Sequence, residues 1–96
     1  MYVVIFKATA KSPDKKYFET AELLRKTALE QFNCVAFEAI SEGVREIALS
    51  YWHSESDILN WKQHTEHAAA QNAALKKWYS DYSVEVAKIE RSYQSI

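Results

Sequence analysis

His64 and His67 sit one helical turn apart in a 96-residue chain that holds three histidines and three tryptophans. An imidazole titrates near neutral pH, so a histidine in a pocket can take up a proton or hold an anion. At about 100° per residue, Asn60, His64, His67, Gln71 and Trp78 fall on one helical stripe. Polar groups mixed with an indole suit the edge of a cleft between a helix and a sheet. The plainer reading keeps both histidines as boundary residues on a helix flank.

Trp61 falls on the neighbouring stripe with Ile58, Thr65, Ala68, Asn72, Leu75 and Tyr79. It is either core or the wall of an aromatic pocket. Tyr51 and Trp52, at a strand end, stay open in the same way. Glu38 and Glu46 are carboxylates on otherwise apolar strands. A buried carboxylate is costly unless paired. Arg45, Lys88 or Arg91 can pair one of them across a sheet; otherwise one serves a pocket as base or hydrogen-bond acceptor.

Other chemistries find no support. His-x-x-His lacks the third and fourth ligands of a metal centre. Cys34 is alone, which excludes an intramolecular disulfide and a cysteine cluster for zinc, and is expected to be inert packing. Gly43 is the single glycine, so neither a phosphate-binding loop nor a nucleophile elbow can form. Twelve basic against thirteen acidic residues leave a net charge of −1. Nothing in that balance draws the chain to nucleic acid or to an anionic membrane. No segment reaches the roughly 20 apolar residues of a membrane span, and the lone cysteine suits a reducing compartment. A cytoplasmic protein with a single domain over residues 1–96 is expected.

One glycine and one proline leave little loop material. Tyr2 to Ala10 is rich in β-formers and predicts strand 1. Ser12-Pro13 opens a helix over about 13–32, with Ser12 as cap and a stripe of Tyr17, Ala21, Leu24, Ala28 and Phe32. Residues 35–40 and 44–52 predict a hairpin of strands 2 and 3 turning at Ser41-Glu42-Gly43. Ser54-x-x-Asp57 fits a capping box opening helix 2, which runs to about Trp78. Alternation from Tyr82 to Tyr93 predicts strand 4.

The order βαββαβ is the ferredoxin-like arrangement, α+β, with a four-stranded antiparallel sheet and both helices on one face. The strands are apolar on both parities, so the uncovered face calls for a partner. The simplest partner is a second copy, giving a homodimer joined sheet to sheet.

Taken together, Ser50-Tyr51-Trp52, the capped Ser-Glu-Ser-Asp turn, Ile58-x-x-Trp61-Lys62-x-His64-x-x-His67-x-x-Ala70-Gln71 and Trp78-Tyr79 resemble the antibiotic biosynthesis monooxygenase-like family, in its small stand-alone bacterial members. Val4-Ile5-Phe6, Phe37-Glu38 and Val86-Ala87-Lys88-Ile89-Glu90-Arg91-x-Tyr93 extend the likeness over essentially the whole chain. The resemblance implies a dimeric α+β barrel. It also implies an oxidoreductase that turns over planar phenols or quinols with O₂ and no metal or organic cofactor. In that picture His64 or His67 accepts the proton or stabilises the anion. Phe6, Tyr51, Trp61 and Trp78 line the pocket, and Glu38 or Gln71 orients the substrate. Related members bind and degrade haem, using a strand-1 Asn, a helix Trp and a helix His. Trp61 matches that Trp, but Gln71 stands where the His would fall. Phe6 and Lys7 stand near the Asn position, so haem is the alternative here. A non-catalytic dimeric binding module is the third reading.

Overall fold

The computed structural model describes residues 1–11, 13–72 and 78–95, with side chains described outside 66–77. Six elements follow one another: β1 (Tyr2–Ala10), α1 (Lys15–Gln31), β2 (Ala36–Glu42), β3 (Arg45–Trp52), α2 (Glu55–Asn72) and β4 (Tyr79–Lys88). The strands form one antiparallel sheet in the order β2-β3-β1-β4. This is the expected ferredoxin-like order, with β1 central between β3 and β4.

Local chemistry explains the element ends. Asp14 caps α1, its carboxylate accepting from the Tyr17 N–H at 2.8 Å. The helix therefore starts at Lys15, later than the start expected from Pro13. Ser12, the expected cap, lies outside the described residues. An acidic cap satisfies an orphan donor and complements the positive end of the helix. At the far end Asn33 takes a left-handed φ of 64°, a conformation that asparagine tolerates better than most residues. The Cys34 N–H then closes back on the Ala28 carbonyl at 3.1 Å. In the hairpin, Glu42 pairs with Arg45 across Gly43, whose φ of +58° requires a glycine-like backbone.

Ser54 begins α2 as expected, accepting from the Ser56 and Asp57 N–H groups at 3.1 and 3.4 Å. Asp57 does not close a reciprocal box. Its carboxylate accepts instead from the Asn33 side-chain amide at 3.2 Å, tying the two helix ends together. The helix is described as far as Asn72; the predicted extension through 73–77 lies outside the described residues. Strand β4 begins at Tyr79 and ends at Lys88, earlier at both ends than the predicted 82–93.

The sheet has two unlike faces, and its register sorts them. Tyr2, Val4, Phe6, Ala8, Ala48, Ser50, Trp52 and Phe37 share the helix-covered face. Trp52 is fully buried and packs with Ala28 of α1, Cys34 and Ile58 of α2. Its indole N–H donates to the Ser50 hydroxyl at 2.9 Å, so the largest core side chain keeps no orphan donor. On α1 the inward stripe is Tyr17, Thr20, Leu24, Thr27 and Ala28. Ala21, expected on that stripe, is exposed.

The opposite face carries Val3, Ile5, Ile40, Ile47, Leu49 and Tyr51. No described helix covers it, and Ile40 keeps 66% of its surface exposed. A Lys7–Glu85 pair at 4.0 Å crosses its β1–β4 side.

Candidate functional site

The helix-covered face ends in two groups of rings. The first joins α1, α2 and β3. Trp61 lies 6.3 Å from Trp52 and 5.5 Å from Phe32, centroid to centroid. His64 stacks on Trp61 at 5.8 Å with 24° between planes and tilts against Phe32 at 5.0 Å. The spacing from Trp61 to His64 puts both rings on adjacent turns of one helix flank. Trp61 is half-buried and packs on the core cluster, whereas His64 is exposed at its rim.

The second group lies at the other end of the sheet, where α1 begins and β4 starts. Phe6 of β1 makes an edge contact with Tyr79 at 5.4 Å and stacks on Tyr82 at 5.8 Å. Tyr17 of α1 stands edge-on to Tyr79 and Trp78 at 5.9 and 5.5 Å. A directed hydrogen-bond chain threads these rings. The Tyr79 hydroxyl donates to the Tyr17 oxygen at 3.3 Å, and the Tyr17 hydroxyl donates to the Glu46 carboxylate. Trp78 is buried, and among the described residues its indole N–H has no hydrogen-bond partner.

Burial pushes the Tyr17 hydroxyl well above the ordinary tyrosine range, and its bond to Glu46 pushes the same way. Burial also raises Tyr79, with its bond to Tyr17 pulling partly back. Both phenols are therefore neutral at physiological pH and act as donors. Cys34 is raised by burial, against the lowering pull of the Tyr51 and Ala36 carbonyls. It is a packed thiol with little nucleophilic character.

The sequence-predicted site residues separate accordingly. Trp61 and His64 come together. Phe6 joins Tyr79 and Tyr82, and Trp78 joins Tyr17. Tyr51 and Glu38 share neither group: both project from the helix-free face, opposite Val3 and Leu49 respectively. Their parity along the strand, one residue out of step with Trp52 and Phe37, accounts for this. Backbone positions 67 and 71 belong to α2, but the side chains of His67 and Gln71 lie outside the described residues. Glu46, the alternative carboxylate, is the one that reaches the helix side. Tyr17 and Tyr79 were legible as core-stripe residues but not as a hydrogen-bonded pair.

Among the described residues no three His, Cys, Asp or Glu side chains gather as a metal site requires, and no described helix is long and apolar enough to cross a membrane. A shallow depression lined by Lys15, Phe18, Glu19, Glu22, Leu23 and Lys26 follows one exposed stripe of α1, with no second element enclosing it.

No protein-family model matches the chain. The uncharacterised protein YqjZ of Bacillus subtilis is 40% identical over 91 residues, covering 94% of this chain and 80% of that protein. Among solved structures, a variant of SnoaB, a cofactor-independent oxygenase from Streptomyces nogalater, superposes with a TM-score of 0.77 at 10% identity. The match covers 98% and 97% of the two chains. A candidate antibiotic biosynthesis monooxygenase from Nitrosomonas europaea gives 0.71 at 16% identity over 95% and 100%. MhuD, a heme-degrader from Mycobacterium tuberculosis with two hemes in its active site, gives 0.66 at 14% identity over 98% and 100%. At these identities the likeness establishes the fold.

Proposed function

The chain belongs to the family of Bacillus subtilis YqjZ and has the fold of the antibiotic biosynthesis monooxygenase-like proteins; from that premise we propose a homodimeric, cofactor-independent oxidoreductase of the monooxygenase type. The substrate is a planar phenol or quinol held between α2 and the helix-covered face of the sheet. The observation that carries this reading is the stack of His64 on Trp61. It sets an imidazole, a side chain suited to general-base work, beside a flat apolar wall. Phe6 lies on the same face of the sheet, in the ring group at its other end.

In this mechanism His64 or His67 takes the phenol proton, and the resulting anion supplies its own electrons to O₂. The protein contributes the base, the apolar walls and the exclusion of water. Gln71 orients the ring oxygen. Glu38 and Tyr51 have no part in this pocket because they face the other side of the sheet. That face, with Val3, Ile5, Ile47 and Leu49, receives the second copy. The cytoplasm, where the lone Cys34 stays reduced, is the fitting compartment.

The residues fit haem less well. Of the two residues near the Asn position of the haem degraders, Phe6 is apolar and Lys7 lies on the helix-free face of the sheet, opposite Ile47. His64, the described histidine of α2, stacks on Trp61 and tilts against Phe32.

Oxygen uptake measured over a quinol panel tests the proposal. Turnover is expected to fall on His64→Ala or His67→Ala. Equal uptake in both variants would remove the histidines from the mechanism, and no uptake with any quinol would favour the binding module. A haemin titration is expected to give no saturable Soret shift near one haem per subunit; a saturable shift would restore the haem reading.

A further inference from the structure

We propose that Tyr17 is a proton-coupled one-electron donor that draws oxidising equivalents out of the helix-covered interior, with Glu46 as its proton acceptor and the Tyr79–Tyr82 rings as the path to the surface.

Oxidation settles on the ring that can also dispose of a proton. Four such side chains lie in edge or tilted contact: Trp78, Tyr17, Tyr79 and Tyr82, with neighbouring centroids 5.5, 5.9 and 6.3 Å apart. Removing an electron from a phenol makes its O–H strongly acidic, and from an indole makes its N–H weakly acidic. The neutral radical forms where a base stands ready to take that proton. Trp78 fails this condition, because among the described residues its buried N–H meets no acceptor. Tyr79 points its proton at another phenol, which is a poor base. Among the described residues, Tyr17 is the tyrosine whose hydroxyl donates to a carboxylate. An electron vacancy created on any of the four rings therefore comes to rest on Tyr17.

The step balances with a one-electron oxidant of the aryloxyl-radical class. The oxidant takes one electron and becomes a phenolate. Tyr17 loses that electron together with its hydroxyl proton and becomes a neutral tyrosyl radical. The Glu46 carboxylate takes the proton and becomes a carboxylic acid. Tyr82, which stacks on Phe6 and is half exposed, is the outlet. A solvent thiolate gives back the electron there, becoming a thiyl radical, and Glu46 returns the proton to Tyr17. The aryloxyl source rests on the oxidative reading above; the redox competence of Tyr17 does not.

The test therefore uses no substrate. Photo-oxidised ruthenium tris-bipyridine removes one electron from the intact protein, and the radical is followed by transient absorption and freeze-trapped electron paramagnetic resonance. The expected result is a long-lived tyrosyl signal that persists in Tyr79→Phe and disappears in Tyr17→Phe. In Glu46→Gln the amide keeps the hydrogen bond but is a far weaker base. Radical formation should slow about tenfold or more there, and its solvent deuterium effect should be lost. Because Tyr17→Phe can weaken folding, 3,5-difluorotyrosine placed at position 17 gives a second readout. Its fluorine hyperfine pattern should appear in the signal while the hydroxyl stays in place. An unlabelled spectrum, or an unchanged rate in Glu46→Gln, would overturn the proposal. A protein that forms this radical yet consumes no oxygen with quinols would lose the oxidative reading alone.

Discussion

Tyr17→Phe removes one oxygen atom and should reveal how firmly α1 is fastened to the sheet. The lost group donates to the Glu46 carboxylate and accepts from Tyr79. A hydrogen bond to a charged partner contributes about 1.5–3 kcal/mol. Glu46 is only half-buried, so water recovers part of that, leaving about 1–2 kcal/mol. In a chain of this size the loss lowers the melting temperature by about 5–10 °C. The sign of the pH dependence is equally specific. The hydroxyl is raised from its ordinary value of 10.0, by burial and then by Glu46. The unfolded chain therefore releases this proton at a pH where the folded chain still holds it. The associated stability is complete below pH 10 and is lost as pH rises beyond it. The loss is at most about 1.4 kcal/mol per pH unit for one tyrosine. Tyr79, also raised by burial, adds to the same alkaline branch. Urea unfolding of both proteins at pH 7 and at steps above pH 10 measures all of this. The variant should be less stable at pH 7 and should decline less steeply in alkali. Equal stability at pH 7 with parallel alkaline profiles would refute the reasoning.

Three further outcomes follow from the same structure. Asp14→Ala should cost about 1 kcal/mol by removing the α1 cap, read as a lower urea midpoint with an unchanged slope. Trp52→Ala should cost about 3–5 kcal/mol, because a fully buried indole leaves a cavity among Ala28, Cys34 and Ile58; the same denaturation series checks it. Light scattering at micromolar concentration should report twice the 11.1 kDa chain mass, and Leu49→Asp should halve it, since the new charge would sit in the middle of the helix-free face.

The fold was largely legible because periodicity reports which residues are buried. Runs of β-formers set off by turn residues placed strands 1 to 3, alternation placed strand 4, and apolar spacing placed both helices. The misplaced ends have specific causes. Asp14 caps α1 because its carboxylate reaches the Tyr17 N–H. Strand β4 starts early because Tyr79 pairs with Ala10 across a register shift at Thr9, a long-range pairing with no local signature. The site was less legible. Trp61 and His64 meet because three residues of helix separate them, which a sequence displays. Glu38 and Glu46 look alike in a sequence, and only strand parity relative to Trp52 decides which one reaches the helices. The hydrogen bonds from Tyr79 to Tyr17 and from Tyr17 to Glu46 join residues 62 and 29 apart. Nothing in local pattern encodes them.

The central place of β1 has a consequence for assembly. The strand synthesised first is hydrogen-bonded on one side to β3 and on the other to β4, with Tyr2 opposite both Trp52 and Lys88. The β2–β3 hairpin closes across Gly43 at short range. By contrast, β1 stays half-paired until the last strand arrives. Non-local pairing of this kind slows folding and leaves an open strand edge in the meantime. During synthesis, β1 bound only to β3 offers its free edge to any other nascent copy. Completion of β4 is therefore the step that separates correct folding from mispairing between chains.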